Sequence, residues 1–243
     1  MSSLLPIIAI PTFRRANLIS ALTLKFLRES AYPPYLIRLF VASEEEAEQY
    51  RTLVPRLLYY DIVVGVPGLK EQRNFITNFF PENQIIIQMD DDIKGIKTNP
   101  LMSFIDLVLK GVDAVENAVG LWGIMPNDDG RKMKEETTIH LAHIIGSFFI
   151  CKNHREVVIG TTEKEDFERS ILYFQLYGAV ARYKGAGVVT KYQGTPGGLQ
   201  DLDGNRRYRQ MEGVRYMLEK YPDYVITAHK PKGEDIILNW RAI

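Results

Sequence analysis

The chain has 243 residues, with 30 Lys and Arg set against 30 Asp and Glu, four His and a single Cys. That length suits one large α/β domain, the lone Cys151 excludes a disulfide framework or Cys-rich zinc module, and zero net charge excludes bulk electrostatic capture of nucleic acid while leaving room for a local basic groove. With 25% charged residues and no apolar run near the ~20 that span a bilayer, the sequence predicts a soluble, cytoplasmic protein that makes no use of a membrane.

Leu5–Ile10 is a short apolar run closed by Pro11-Thr12, the pattern of a buried parallel strand. Asn17–Arg28 sets Leu18, Ala21, Leu22 and Phe26 at spacings of three and four, which predicts a helix. Ile37–Val41 is a second strand, after which Ser43 caps a helix opening on Glu44-Glu45-Glu46. Asp61–Val64 is a third strand, ended by Gly65-Val66-Pro67-Gly68 and followed by a helix over 70–79. Gln84–Met89 is the most strand-like run, and it stops at Asp90-Asp91-Asp92. Strands alternating with helices at this spacing predict an α/β fold with a mostly parallel central sheet flanked by helices.

The second half is more mixed. A helix over 101–117, a strand over 119–124, a polar loop over 126–132, one long or two short strands over 139–151, a helix over 165–177 and a strand over 179–183 are expected. Gly185, Gly187, Gly194, Gly197 and Gly198 mark a glycine-rich region, and a helix over 206–220 and a polar tail complete the chain. Without an internal repeat or linker, 1–243 reads as one domain with a first half to about 118 and a second from about 119.

Three adjacent carboxylates repel one another, and a cation lowers that cost. In open α/β sheets the ligand crevice lies beyond the carboxyl ends of the strands, where Asp90–Asp92 falls. Hard oxygen ligands there suit Mg²⁺ or Mn²⁺ shared with a diphosphate; the alternative is a solvated loop with an Asp cap. Thr12, Arg14 and Arg15 share that sheet edge, so the arginines are placed for phosphates and Thr12 for a base or ribose. Arg73-Asn74, one turn beyond Gly68, is placed likewise. Arg182, Lys184, Lys191, Arg206, Arg207 and Arg209 alternate with Tyr183, Tyr192 and Tyr208, a composition suited to phosphate contacts and stacking on an exposed base. Thr162-Glu163-Lys164-Glu165 fits a capping box, with Asp166 in the first helical turn.

A first strand ending Ile-Pro-Thr-Phe-x-Arg (residues 10–15), a third strand followed by Gly68-x-x-x-x-Arg73-Asn74 and a fourth ending Asp90-Asp91-Asp92 resemble a nucleotide-sugar glycosyltransferase of the Rossmann-like GT-A fold. The resemblance implies a UDP-sugar donor held through Pro11, Thr12, Arg14, Arg73, Asp90 and Asp91, and a divalent metal on Asp90 and Asp92 with His229 as a further ligand. It makes the first half the donor side and the second the acceptor side. Gly146–Ile150, Glu165-Asp166 and Tyr177-Gly178 are similar to the acceptor half of such enzymes, implying Asp166 as general base of an inverting hexosyl transfer. Val41–Glu46 with Tyr50 a turn later, Gly65–Gly68, Arg73-Asn74, Met89–Ile93, Lys164–Asp166 and Lys191–Gln200 further resemble the TET-associated glycosyltransferases of phages and some eukaryotes. That branch implies transfer of a hexose such as glucose to 5-hydroxymethylpyrimidine in DNA, with a glycan or protein hydroxyl as the alternative acceptor. The rivals from other classes are a metal-dependent nuclease and a binding domain that has lost catalysis.

Overall fold

The short apolar runs of the first half form β1 (Ile7–Pro11), β2 (Ile37–Val41), β3 (Asp61–Val64) and β4 (Ile85–Met89), all parallel and in the order β3-β2-β1-β4. The intervening helices are α1 (Ala16–Ala21), α2 (Thr23–Glu29), α3 (Glu44–Leu53) and α4 (Leu69–Phe79). These come from a computed structural model that describes residues 5–190, 206–230 and 233–239. Successive strand side chains leave opposite faces. Ile8, Ile10, Leu39, Val41, Ile87 and Met89 therefore build the core on one side of the sheet, and Ala9, Phe40 and Ile86 build the other with Ile76 of α4.

The chain then adds β5 (Ile93–Thr98), α5 (Phe104–Asn117), β6 (Leu121–Met125), β7 (Thr137–His140), β8 (Phe148–Lys152), α6 (Glu165–Tyr177) and β9 (Val180–Thr190). The sheet continues β4-β8-β6-β9-β5, with β7 paired to β9. Antiparallel pairs join β8 to β4 and β6, and β5 and β7 to β9, whereas β6 and β9 are parallel. Six of the nine strands (β1–β4, β6 and β9) thus share one direction. Helix α7 (Arg206–Lys220) and the hairpin β10 (Val225–Lys230)–β11 (Gly233–Leu238) close a third core through Val214, Met217, Val225 and Ile236 against Leu141 and Ile171. No helix among the described residues is long and apolar enough to cross a membrane.

Four elements depart from the sequence expectation, each for a physical reason. The predicted helix over 17–28 breaks at Leu22, because Thr23 turns its hydroxyl into the protein to bond the backbone beyond β4. Ile93–Thr98 is a strand although Gly95 and two lysines weaken its pattern; its pairing with β9 supplies what local propensity lacks. Gly185 and Gly187 lie inside β9, extending it well past 183. At Gly187 an added Cβ would strike the Asn127 backbone, so the glycine permits a close crossing of chains. The tail expected to be merely polar forms the β10–β11 hairpin.

Glu168 ties these late elements to α6. With no exposed surface, its carboxylate accepts from the Gly160 and Thr161 amides (2.7 and 3.1 Å), the Tyr216 and Tyr221 hydroxyls (2.7 and 2.8 Å) and Lys220 Nζ (3.0 Å). Burial alone would raise its pKa, and these donors more than reverse that, leaving it lowered. A depressed folded-state pKa means stability present above the unfolded carboxylate pKa and lost as pH falls through the folded value. Glu168→Gln is expected to cost about 3 kcal/mol near neutral pH and to flatten the acid side of the stability profile. Urea unfolding of both proteins at about pH 7 and about pH 3 checks this.

Candidate active site

The Asp triplet leaves β4 at a point where the backbone is pinned from both sides. The Asp90 amide donates to the Ser147 carbonyl (2.9 Å), the Asp90 carbonyl accepts from Thr23 Oγ1 (2.8 Å), and that hydroxyl accepts from the Ile93 amide (2.9 Å). The three carboxylates then diverge. Asp91 turns inward and is 4% exposed, its oxygens taken by Arg15 Nη1 (2.8 Å) and Thr12 Oγ1 (2.6 Å). An ionised carboxylate only accepts, so Thr12 donates to Asp91 and must accept from the Tyr50 hydroxyl at 2.6 Å. The Tyr50 oxygen in turn receives the Arg15 amide at 3.0 Å. This relay builds a rigid floor beneath the sheet edge.

Asp90 and Asp92 face outward from that floor. Arg73, 2% exposed, bridges Asp90 Oδ1 (2.7 Å), Gln88 Oε1 (2.9 Å) and the Gly146 carbonyl (2.9 Å), leaving Asp90 Oδ2 without a partner among the described residues. Asp92 meets Arg15 only at 3.4 Å. Partial burial, with Asp92, Asp91 and Glu165 adding to it, pushes the Asp90 carboxyl up to about 7 against the pull of Arg73. Burial and Asp91 likewise raise Asp92 despite Arg15. The site therefore holds more negative charge than its two arginines neutralise.

That surplus, on two hard oxygen donors at a strand's carboxyl end, fits a divalent cation of the Mg²⁺ or Mn²⁺ type. Among the described residues no group of three or more His, Cys, Asp or Glu side chains is arranged to hold a metal. The pair supplies fewer ligands than such an ion takes, so water and substrate phosphates would have to complete the set. His229 lies on β10, and its side chain is outside the described residues.

The second half of the chain meets this edge through Gly146. An added Cβ there would strike Glu165 Oε1 at the start of α6, so this glycine lets the chain from β7 to β8 pass against that helix. Glu165 is buried in an ion pair with Arg169, whose guanidinium lies 3.7 Å from the Phe149 ring centroid. Lys164 at the N-cap makes no side-chain cap, so the expected capping box does not form, and Glu165 is spent on Arg169 instead. Asp166, the next residue, bonds His143 Nε2 through Oδ2 at 2.7 Å. Burial would raise the Asp166 carboxyl, but His143, with Arg169 and Lys164 behind it, holds it below the usual carboxylate range.

The structure thus draws Thr12, Arg73, Asp90, Asp91 and Asp92 together at one edge, with Asp166 beyond Gly146. Pro11 ends β1, buried under the same edge. Arg14 is exposed, with a left-handed φ of 55° and its guanidinium over the Phe13 ring. Arg15, one residue later, is the one of these two neighbours that reaches the triplet. Tyr183, expected among residues that stack on a base, is 1% exposed and lies parallel to Trp122 in the core, so it cannot serve. Lys184 and Arg209 are paired with Glu136 and Glu163. Lys191 and Tyr192 lie outside the described residues. Reasoning from sequence missed His143 as the partner of Asp166, since the two stand 23 residues apart on unrelated segments.

No protein-family model and no curated protein matches the chain. Solved structures do. Glucosyl-3-phosphoglycerate synthase from Mycobacterium tuberculosis, in complex with Mn²⁺, UDP and glucosyl-3-phosphoglycerate, is 11% identical over 98% of this chain and 88% of its own, with a TM-score of 0.53. The mannosyltransferase PcManGT from Pyrobaculum calidifontis, in complex with GDP-Man and Mn²⁺, is 15% identical over 90% of this chain and 64% of its own, at 0.57. S. aureus TarS 1-349 in complex with UDP is 14% identical over 75% of this chain, at 0.51, and the chain spans only 59% of that structure's length. At such identities the likeness shows the fold: a GT-A architecture with a mostly parallel central sheet flanked by helices.

Proposed function

We propose that this chain is a metal-dependent glycosyltransferase that moves a hexose from a nucleotide diphosphate sugar to a hydroxyl acceptor with inversion. The observation that carries the reading is the pair Asp90 and Asp92, left short of positive charge at the carboxyl end of β4 while Asp91 is locked inward. Two of the solved neighbours hold Mn²⁺, one with UDP and one with GDP-Man, which supports this donor class.

Asp90 and Asp92 would hold the divalent ion, Mn²⁺ or Mg²⁺, which when bound supplies charge neutralisation to the departing diphosphate. Arg73 fixes the Asp90 carboxylate from below, and Arg15 spans Asp91 and Asp92 beside it. Asp166 provides the carboxylate of the proton acceptor on the far side of Gly146. We take the donor to be a UDP-sugar, such as UDP-glucose, and the acceptor to be 5-hydroxymethylpyrimidine in DNA, on the strength of the sequence resemblance to the TET-associated branch.

The test is a panel of sugar nucleotides with Mn²⁺, scored for release of nucleoside diphosphate with and without hydroxymethylated DNA. The expected result is release from one UDP-sugar, stimulated by the modified DNA and abolished by EDTA. Stimulation by a glycan or protein hydroxyl but not by DNA would select the other acceptor class. No release from any donor would overturn the enzymatic reading.

A further inference from the structure

His143 precedes Gly146 in the irregular segment between β7 and β8, and Asp166 stands in the first turn of α6. Their side chains meet at 2.7 Å, Nε2 to Oδ2, and the other carboxylate oxygen accepts the Phe167 amide at 3.0 Å. The imidazole is stacked on the Phe167 ring, centroids 4.1 Å apart and planes 19° from parallel. Its backbone carbonyl accepts from Arg182 Nη1 at 3.3 Å. Ring and carboxylate are therefore both fixed, yet neither is sealed in, with side chains 26% and 23% exposed.

An ionised carboxylate can only accept, so the imidazole hydrogen lies on Nε2 and the free lone pair lies on Nδ1. No group among the described residues pairs with that Nδ1. The charged groups facing the pair are Lys164 and Arg169 toward Asp166, with Glu165 bound to Arg169, and Arg182 toward the His143 carbonyl. A carboxylate in this company, held below its usual pKa, is a weak proton acceptor by itself.

We propose that His143 Nδ1 is the atom that takes the proton of the acceptor hydroxyl, with Asp166 as its positioning residue; this rests on the glycosyltransferase reading above. As the acceptor oxygen bonds to the anomeric carbon, the anomeric C–O bond breaks and its electron pair leaves with the diphosphate. The hydroxyl proton passes to Nδ1 while Nε2 keeps its hydrogen and goes on donating it to Asp166 Oδ2. The imidazolium returns its extra proton to solvent after product departs. The logic is that of a His oriented by a neighbouring acid, where the carboxylate sets the tautomer and supports the cation.

Two measurements on the full chain test this. The first is two-bond ¹H–¹⁵N spectroscopy of the histidines through a pH titration, with His143→Gln identifying the signal. The expected result is an Nε2–H tautomer in the neutral ring that gives way to a mixture of both tautomers in Asp166→Asn. An Nδ1–H tautomer, or an Nε2–H tautomer that Asp166→Asn leaves unchanged, overturns the proposal.

The second is release of UDP from UDP-glucose with Mn²⁺ and hydroxymethylated DNA, from about pH 5 to about pH 9. His143→Gln is expected to lose about 10²–10⁴-fold of turnover together with the ascending limb of the pH profile, with affinity for UDP and Mn²⁺ unchanged. A His143→Gln chain with wild-type turnover and profile overturns the proposal. A wild-type chain that binds no sugar nucleotide contradicts the transferase reading instead, and the spectroscopic arm then decides the tautomer claim alone.

Discussion

Asp92→Asn is expected to lower metal-dependent sugar transfer by about 10²–10³-fold while leaving the protein as stable as before, or more so. The two halves of that result come from one cause. Burial and the neighbouring Asp91 carboxylate raise the Asp92 pKa, so the fold disfavours the charged form. An amide keeps the shape, removes the repulsion and loses the ligand. A stability gain alongside lost turnover is the signature of a carboxylate kept for chemistry at a cost to the fold. Urea unfolding and UDP release on the same preparations read both halves. Full turnover in Asp92→Asn would remove the metal from Asp92.

Arg73→Met is expected to act in the opposite way, through the fold. One buried guanidinium serves the Gln88 amide oxygen, the Asp90 carboxylate and the Gly146 carbonyl, joining the end of β4 to the segment before β8. Truncation leaves three acceptors behind, one of them charged. Losing one partner of an ion pair costs about 3–5 kcal/mol where both groups are buried; the Asp90 side chain is 36% exposed, so the expected loss is about 2–3 kcal/mol, read by urea unfolding. Arg73→Lys should recover little, because an ammonium is a point charge without the planar fork that reaches three acceptors. Adding Asp90→Asn to Arg73→Met should restore part of the stability, since the stranded charge is gone; a double-mutant cycle measures that coupling. Additive losses in the cycle would mean that Arg73 supports packing against Phe149 rather than the Asp90 charge.

The parallel strands were legible because buried parallel strands are nearly continuous apolar runs, and Gln84–Met89 ending in Asp90–Asp92 is such a run. Ser43 was legible as a cap because capping is local chemistry, and its hydroxyl does accept the Glu46 amide at 3.3 Å. What depends on long-range pairing was not. Ile93–Thr98 is a strand by virtue of β9, some ninety residues later in the chain. The triplet could be found from its carboxylates, but the division of labour within it could not. Asp91 is claimed by Thr12 and Arg15 from the first strand's end, and only the fold decides which of the three turns inward. The exchange of Arg14 for Arg15 has the same origin: the left-handed backbone at Arg14 sets the direction of both side chains. The pairing of His143 with Asp166 carried no local signal, since it arises where α6 delivers the carboxylate to that ring.

The central claim is that Asp90 and Asp92 bind a nucleoside diphosphate through a divalent cation, and calorimetric titration of UDP into the protein tests it most directly. Titrations with Mn²⁺ present, with the metal removed by EDTA, and with Asp92→Asn form the set. The account predicts UDP binding with Mn²⁺ that is lost by at least tenfold, about 1.4 kcal/mol, in each of the other two. Equal binding with and without the metal, or no binding to the wild-type chain under any condition, would contradict it.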